Sequence, residues 1–264
     1  MDLPGITDVA PARLGAWREG DAWLAGGTWL FSEPQPSLSR LLDLNAFGWP
    51  SLRTGPDGLE IAATCTLAEL ARLRAPQWRA APLIGQCCSA LLGSFKVWNV
   101  ATVGGNLCLA LPAGPMISLT SGLDGRCAIW SPDGSTRHVP VAEFVTGPGS
   151  NVLRPGELLR SVHLPARALA GATAFRQISL SPLGRSAAVV IGRRAAGGSL
   201  VITVTASTTR PVQLRFAAFP APGDLRSALA AAVTQWHDDV HGSPAWREAV
   251  TARLALEVLG ELAP

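Results

Sequence analysis

The sequence predicts an α+β fold: short strands with interspersed helices over residues 1–165, then a smaller α/β unit made of a three-stranded antiparallel sheet and two helices. Three observations carry this prediction. The apolar runs are short and are broken by 27 glycines and 21 prolines, so few long regular elements fit. Apolar residues recur at helical spacing over 82–92 and again over 224–237 and 244–262. Between these zones a Pro/Ala/Gly-rich stretch at 165–171 reads as a boundary.

In chain order, residues 11–17 are compatible with a short helix, and 22–25 with a small strand that runs into Gly26-Gly27. Residues 32–36 carry two prolines and cannot be regular structure. Strands follow at 40–44 and, after the turn Gly55-Pro56-Asp57-Gly58, at 59–63. Thr66 with Glu69 three residues on has the capping-box pattern and opens a helix. Residues 82–92 form another, in which Cys87 and Cys88 pack rather than react. A β-branched run then ends in Gly104-Gly105-Asn106, read here as a second glycine loop, and 107–115 is short and rich in breakers. Residues 116–123 read as helical, 126–130 and 137–141 as a hairpin about Ser131-Pro132-Asp133-Gly134, and 158–165 as a strand. Beyond the boundary, strands at 173–178, 187–192 and 200–207 make the antiparallel sheet, with a hairpin connection at 193–198. Ser243-Pro244 is a favourable N-cap and first-turn pair for the last helix.

Composition narrows the function. At 264 residues the chain is one large domain or two small ones and buries a substantial core. Apolar content is 48%, too high for disorder, yet no run approaches the ~18 apolar residues of a membrane-spanning helix. The first residues lack the basic and apolar regions of a signal peptide, so a cytoplasmic protein is expected. The net charge of +3 is mild and the arginines are scattered, which argues against nucleic acid as a partner. Lys96 is the one lysine, so the Walker pattern is absent, and a bound phosphate must be held by backbone N–H groups or arginine. Five cysteines without a Cys-x-x-Cys argue against a disulfide framework, a zinc site or an iron–sulfur cluster on this chain. Nine tryptophans among few charges suggest either core packing or surface covered by other subunits.

No nucleophile–base–acid set stands out. His237 and His241, beside Asp238 and Asp239, sit at a spacing that allows a metal on one helix face or, more simply, a helix connection. The remaining signal is the two Gly-Gly pairs, Gly26-Gly27 and Gly104-Gly105. Paired glycines permit positive φ and close backbone approach, and successive N–H groups there form an anion-holding nest. The alternative is that both pairs are ordinary turn punctuation. No Gly-x-Gly-x-x-Gly of the Rossmann type is present. A dinucleotide grip without acid–base machinery points to chemistry carried by a cofactor.

Ala25-Gly26-Gly27-Thr28-Trp29-Leu30, the run from Asn99 through Ala101-Thr102-Val103-Gly104-Gly105-Asn106 to Leu107, and Pro112-Ala113-Gly114 resemble the FAD-binding medium subunit of the molybdenum hydroxylases, the xanthine dehydrogenase and carbon monoxide dehydrogenase flavoprotein family. Gly184-Arg185-Ser186-Ala187 and Asp239-Val240-His241-Gly242-Ser243-Pro244 are similar to that family's C-terminal domain. The resemblance implies a two-lobed FAD-binding domain of the PCMH/VAO type over residues 1–167, with lobes of about 1–50 and 51–167, and a carbon monoxide dehydrogenase flavoprotein-like C-terminal domain over 168–264. It implies an oxidoreductase subunit that accepts electrons from [2Fe–2S] clusters of a small partner and passes them to NAD⁺ or another acceptor. A large partner holds the molybdenum pterin. The FAD is expected to be non-covalent, because the first loop has no histidine or cysteine to attach it. By position, the pyrophosphate would lie between Ala25–Leu30 and Thr102–Asn106, with Leu24, Ala101 and Pro112 also cofactor-binding, Leu92 and Leu159 packing on the cofactor and Gln177 keeping a hydrogen-bonding group near it. Three positions depart from the family: Pro115 replaces an aspartate, Gln177 a lysine-like group and Trp98 a frequent arginine. Two alternatives follow, a flavin-free structural subunit and a stand-alone flavin reductase of the cell-wall precursor type. Gly104→Val is expected to abolish FAD binding and to leave the fold intact.

Overall fold

The computed structural model describes residues 5–264. The chain runs β1 (Asp8–Pro11), β2 (Asp21–Leu24), β3 (Arg40–Asp43), a 3-10 turn (Leu44–Phe47), β4 (Leu52–Gly55), β5 (Gly58–Ala62), α1 (Leu67–Ala71), α2 (Ala81–Ser89), α3 (Phe95–Trp98), α4 (Val103–Leu109) and α5 (Pro115–Gly122). It continues through β6 (Arg126–Trp130), β7 (Thr136–Pro140), α6 (Val141–Phe144), β8 (Val145–Gly147), β9 (Ser150–Asn151), β10 (Leu158–Pro165) and α7 (Ala166–Leu169). Strands β11 (Ala172–Ile178), β12 (Ala188–Arg194), β13 (Leu200–Thr205) and β14 (Val212–Phe216) precede helices α8 (Pro222–Ala232) and α9 (Pro244–Glu261).

Three sheets organise the core. In the first, β3 pairs in parallel with both β1 and β2, and its Leu41 and Leu42 are buried. The second is antiparallel in the order β4-β5-β10-β6-β7. Its central strand, β10, bulges at Arg160, whose guanidinium lies 4.8 Å from the Trp49 ring and 5.7 Å from that of Trp130. Phe47 stacks on Trp49 at 4.8 Å, so this aromatic cluster ties the 3-10 turn to the second sheet. The Trp23 indole N–H donates to the Glu157 carbonyl at 3.0 Å and anchors β2 the same way.

The third sheet is the antiparallel meander β11-β12-β13-β14. Every residue of β13, and all of β12 except Arg194, is buried. The reason is that both faces are covered. Val189 and Ile191 join the core around α5, whereas Val190, Ile202 and Val204 join the core under α8 and α9. Helix α5 is buried along its whole length. Polar contacts complete its seam with the third sheet: Ser118 and Thr205 share a 2.6 Å hydrogen bond, and the Gln213 amide donates to the Ser121 carbonyl at 2.6 Å. Arg193 donates to the Gly122 carbonyl at 3.2 Å and pairs with Asp124. Burial raises the Asp124 carboxyl, but Arg215 and Arg193 outweigh it and hold the group below its usual range.

The structure corrects several expectations. The third sheet has four strands rather than three, with β14 as the edge that the sequence reading passed over. Residues 11–17 form no helix: Gly15 sits at φ 74°, Ala12 N–H extends the pairing toward Asp43, and Arg40 bonds the Ala16 carbonyl. Helix α8 stops at Ala232 rather than 237, because Val233 turns extended and Trp236 pairs with Thr208. Residues 103–109, read as loop, are helix α4. Of nine tryptophans Trp78 alone is buried; Trp29 is exposed and the rest are half-buried.

Candidate functional site

A cavity of about 940 Å³ opens between the turn after β2, the end of α2, the start of α4, the 111–115 turn and the 181–186 loop that joins β11 to β12. Its two predicted glycine segments meet there. A Cβ placed on Gly26 would come within 1.8 Å of the Val100 carbonyl oxygen, so only glycine lets the two backbones touch. Gly27 adopts φ 68°, and the Phe31 ring covers it at a distance that leaves no room for a side chain.

The two segments differ in what their amides do. At the second, Val103 N–H donates to Cys65 O (2.9 Å), Gly104 N–H to Ala63 O (2.9 Å) and Gly105 N–H to the Thr102 hydroxyl (3.0 Å). These donors are already bonded. Gly104 is instead a packing glycine: a Cβ there would lie 2.5 Å from the Ala63 Cβ and 2.7 Å from its Cα. Gly104→Val therefore strikes the core, and the expectation that it spares the fold is corrected. At the first segment, none of the N–H groups of Gly26, Gly27, Thr28, Trp29 and Leu30 donates to another described residue. Five successive donors thus lie on a cavity-lining turn with one left-handed residue, the kind of backbone that can form an anion nest. Donors free of a described partner therefore lie at the first glycine pair, which the sequence made the weaker of the two.

The predicted site residues divide accordingly. Leu24, Ala25, Gly26, Gly27, Thr28, Trp29, Leu30, Leu92, Ala101, Thr102, Gly105 and Asn106 line the cavity. Val103 and Gly104 are buried behind it. Pro112 contributes its carbonyl to the Ala206 N–H rather than a wall to the cavity. Leu159 is in the main core, across from Ile129 on β6. Gln177 lies outside the lining, and its amide donates to Ser186 Oγ at 2.9 Å. Asn106 accepts from the Met116 N–H at 3.0 Å and so caps α5. Pro115 occupies the first turn of α5, where its missing N–H costs nothing.

The sequence reading missed Trp23, Cys108, Leu111, Arg185, Ser186 and His241 as cavity residues. All are brought in by tertiary packing; the Gly184-Arg185-Ser186 run and His241 had been singled out, but as parts of a C-terminal resemblance and not as cavity residues. Arg185 and His241 are the ionisable side chains of the lining besides Cys108, whose thiol burial pushes up to about 12. His241 is placed by Asp239, which accepts its N–H at 2.8 Å. Burial raises the Asp239 carboxyl, but the His241 N–H and Arg247 together hold it below its usual range. His237 pairs with Asp239 at 3.2 Å instead of facing His241 on a helix, and the described residues contain no group of three metal-capable side chains.

The family model described as the FAD binding domain in molybdopterin dehydrogenase matches residues 13–167. The chain belongs to that family of FAD-binding domains. Similar proteins include the xanthine dehydrogenase FAD-binding subunit of Escherichia coli O157:H7, 34% identical over 40% of this chain. Xanthine dehydrogenase 1 of Arabidopsis thaliana is 28% identical over 49% of it. The matched regions span 36% and 10% of those two proteins. In three dimensions the chain resembles one chain each of carbon monoxide dehydrogenase from Hydrogenophaga pseudoflava (TM-score 0.82, 20% identity, 98% of both chains) and of quinoline 2-oxidoreductase from Pseudomonas putida 86 (TM-score 0.78, 21% identity, 99% of both chains). At that identity the likeness is one of fold.

The cavity fits the cofactor that the family binds. About 940 Å³ lies at the upper end of the range for small-molecule sites, as a dinucleotide requires. The nest supplies donors for phosphate oxygens, and Gly26 is a cradle that a single Cβ would fill. No helix of the described residues is long and apolar enough to cross a membrane.

Proposed function

We propose that this chain is the FAD-carrying electron-transfer subunit of a molybdenum-dependent hydroxylase. In that role it receives electrons from [2Fe–2S] clusters of a small partner subunit and passes them to NAD⁺ or another acceptor, while a large partner holds the molybdenum pterin and the substrate. The observation that carries the reading is the nest of unpartnered amides from Gly26 to Leu30 on a dinucleotide-sized cavity. Bound FAD supplies the redox chemistry. The chain's own residues would bind and orient it: the first glycine segment would hold the pyrophosphate, Thr102 and Asn106 line the opposite wall, and Leu92, Leu111 and Leu183 add apolar lining. Reduction and reoxidation of FAD take up and release protons, and the ionisable side chains of the lining are Arg185, His241 and Cys108.

The partner assignment has its own support. Trp29, Phe31, Leu92, Phe95 and Val100 lie on or beside the cavity-lining segments and are exposed, a concentration of large apolar groups that suits coverage by other subunits. The decisive experiment is flavin analysis of the purified full chain, with apoprotein titrated by FAD. A yellow preparation that releases FAD on acid treatment, without covalent residue, is expected. A colourless chain that FAD cannot reconstitute refutes the reading and favours a flavin-free structural subunit.

A further inference from the structure

Ser186 is 3% exposed, yet it forms part of the cavity wall. Its hydroxyl oxygen accepts the Gln177 amide N–H at 2.9 Å. A serine hydroxyl has one hydrogen to donate, and no described residue accepts it. A buried donor with an occupied lone pair and no protein acceptor is uncommon, because buried polar groups are ordinarily paired. Ser186 lines the cavity, so the cavity is a direction open to that hydrogen.

The hydroxyl is also held still. Ala187, the next residue, donates its N–H to the Ile178 carbonyl at 2.8 Å, which closes β12 against β11. The Ala187 carbonyl accepts from the Arg247 guanidinium at 2.5 Å, and Arg247 is itself buried. Gln177 sits on β11 opposite Val189, one register step from Ile178. Backbone pairing thus fixes Ser186 on one side and Gln177 fixes its oxygen on the other. Donors held in place before the ligand arrives lose less freedom on binding.

We infer that Ser186 donates a hydrogen bond to an acceptor atom of the bound flavin nucleotide and that Gln177 is the positioning residue that turns its hydrogen toward the cavity. This rests on the cavity being the FAD site. It also gives position 177 a purpose that does not need the charge of a lysine: an uncharged amide donates to Ser186, which relays a donor to the ligand.

The test compares FAD titrations of the full-length apoprotein with the flavin absorbance spectrum and midpoint potential of the loaded protein. Ser186→Ala is expected to raise the FAD Kd roughly tenfold, the equivalent of one hydrogen bond of about 1.4 kcal/mol. Gln177→Glu is expected to do the same, because a carboxylate accepts the Ser186 hydrogen and draws it out of the cavity. Ser186→Thr, which keeps the hydroxyl, restores affinity. A shifted spectrum or potential in Ser186→Ala places the acceptor on the isoalloxazine ring, and weaker binding with an unchanged spectrum places it on the ribityl or phosphate portion. Far-UV circular dichroism and melting show whether each variant is folded. If Ser186→Ala does not fold, Gln177→Glu carries the test. Wild-type Kd and spectrum in folded Ser186→Ala overturn the inference, and wild-type behaviour of Gln177→Glu overturns the positioning role. Failure of the wild-type chain itself to bind FAD overturns instead the reading of the cavity, and this inference with it.

Discussion

Replacing Arg247 by methionine tests how the C-terminal part of the cavity is held. The guanidinium is 1% exposed and reaches three carbonyls: Gly242 at 2.9 Å, Ala187 at 2.5 Å and Ala206 at 2.7 Å, with Asp239 as its ion-pair partner. One side chain therefore joins the strand that follows Ser186, the end of β13 and the loop that carries His241. Methionine fills similar space without any donor. Breaking a buried ion pair from one side costs roughly 3–5 kcal/mol. Asp239 is 26% exposed, so water takes up part of its loss and the lower end of that range applies. The three carbonyls lose charge-assisted bonds as well, with effects that overlap rather than add. For a chain of this size about 3 kcal/mol lowers Tm by roughly 10 °C. Arg247→Lys recovers only part of this, because an ammonium lacks the planar fork that spans several acceptors. Thermal melting by circular dichroism reads the shift, and a flavin titration reads the loosening of the cavity wall. A Tm within about 2 °C of wild type refutes the claim that this network holds the C-terminal elements together.

Three further outcomes are expected. Gly26→Ala places a Cβ 1.8 Å from the Val100 oxygen, so the two cavity walls separate; FAD affinity falls more than tenfold in titration, and Tm falls by roughly 5 °C, an overpacking cost of about 1–3 kcal/mol. Gly104→Val instead collides with the Ala63 backbone inside the core, and it is read out as aggregation or a Tm lowered by roughly 10 °C, an overpacking cost of about 3 kcal/mol. The acid limb of stability reports Asp124 and Asp239. Both carboxyls are held below their ordinary value by arginine and N–H partners, despite burial. A depressed carboxyl stabilises the fold above its unfolded value of about 3.9 and loses that contribution as pH falls through its folded value. Tm is therefore level between pH 7 and 5 and drops below about pH 4. The drop is shallower in Asp239→Asn, as melting across a pH series shows.

Local signals carried much of the fold. The capping box at Thr66 and Glu69 is present with both hydrogen bonds, because all its partners lie within four residues. The Asp57-Gly58 turn was legible too, since Gly58 has φ 135°, although the Leu164 oxygen that a Cβ there would meet at 2.0 Å comes from β10. Strand β10 spans 158–165, the bounds read from the sequence. What escaped was set by packing. Val212, Leu214 and Phe216 alternate with Gln213 and Arg215, a two-residue period that the preceding Arg210-Pro211 obscured. The reverse error occurred at α4, where two glycines looked like a turn. Glycine is unfavourable in a helix by roughly 1 kcal/mol. Here Gly104 lies against Ala63 and Gly105 under the Thr102 cap, so packing and capping offset that cost.

The same distinction explains why the site was legible by position but not by role. A Gly-Gly pair in a sequence states that a side chain is excluded, not what excludes it. At Gly104 the excluding group is the core at Ala63, and the nearby amides are satisfied by Ala63, Cys65 and Thr102. At Gly26 the excluding group is the Val100 carbonyl, and the amides beyond it have no described partner. Only the second condition leaves donors for a ligand, so the pair that packs the fold and the pair with donors to spare can be told apart once hydrogen bonds are assigned. Ser186 follows the same logic in a side chain. Gln177 occupies its oxygen, and its own hydrogen has no described acceptor although the residue lines the cavity.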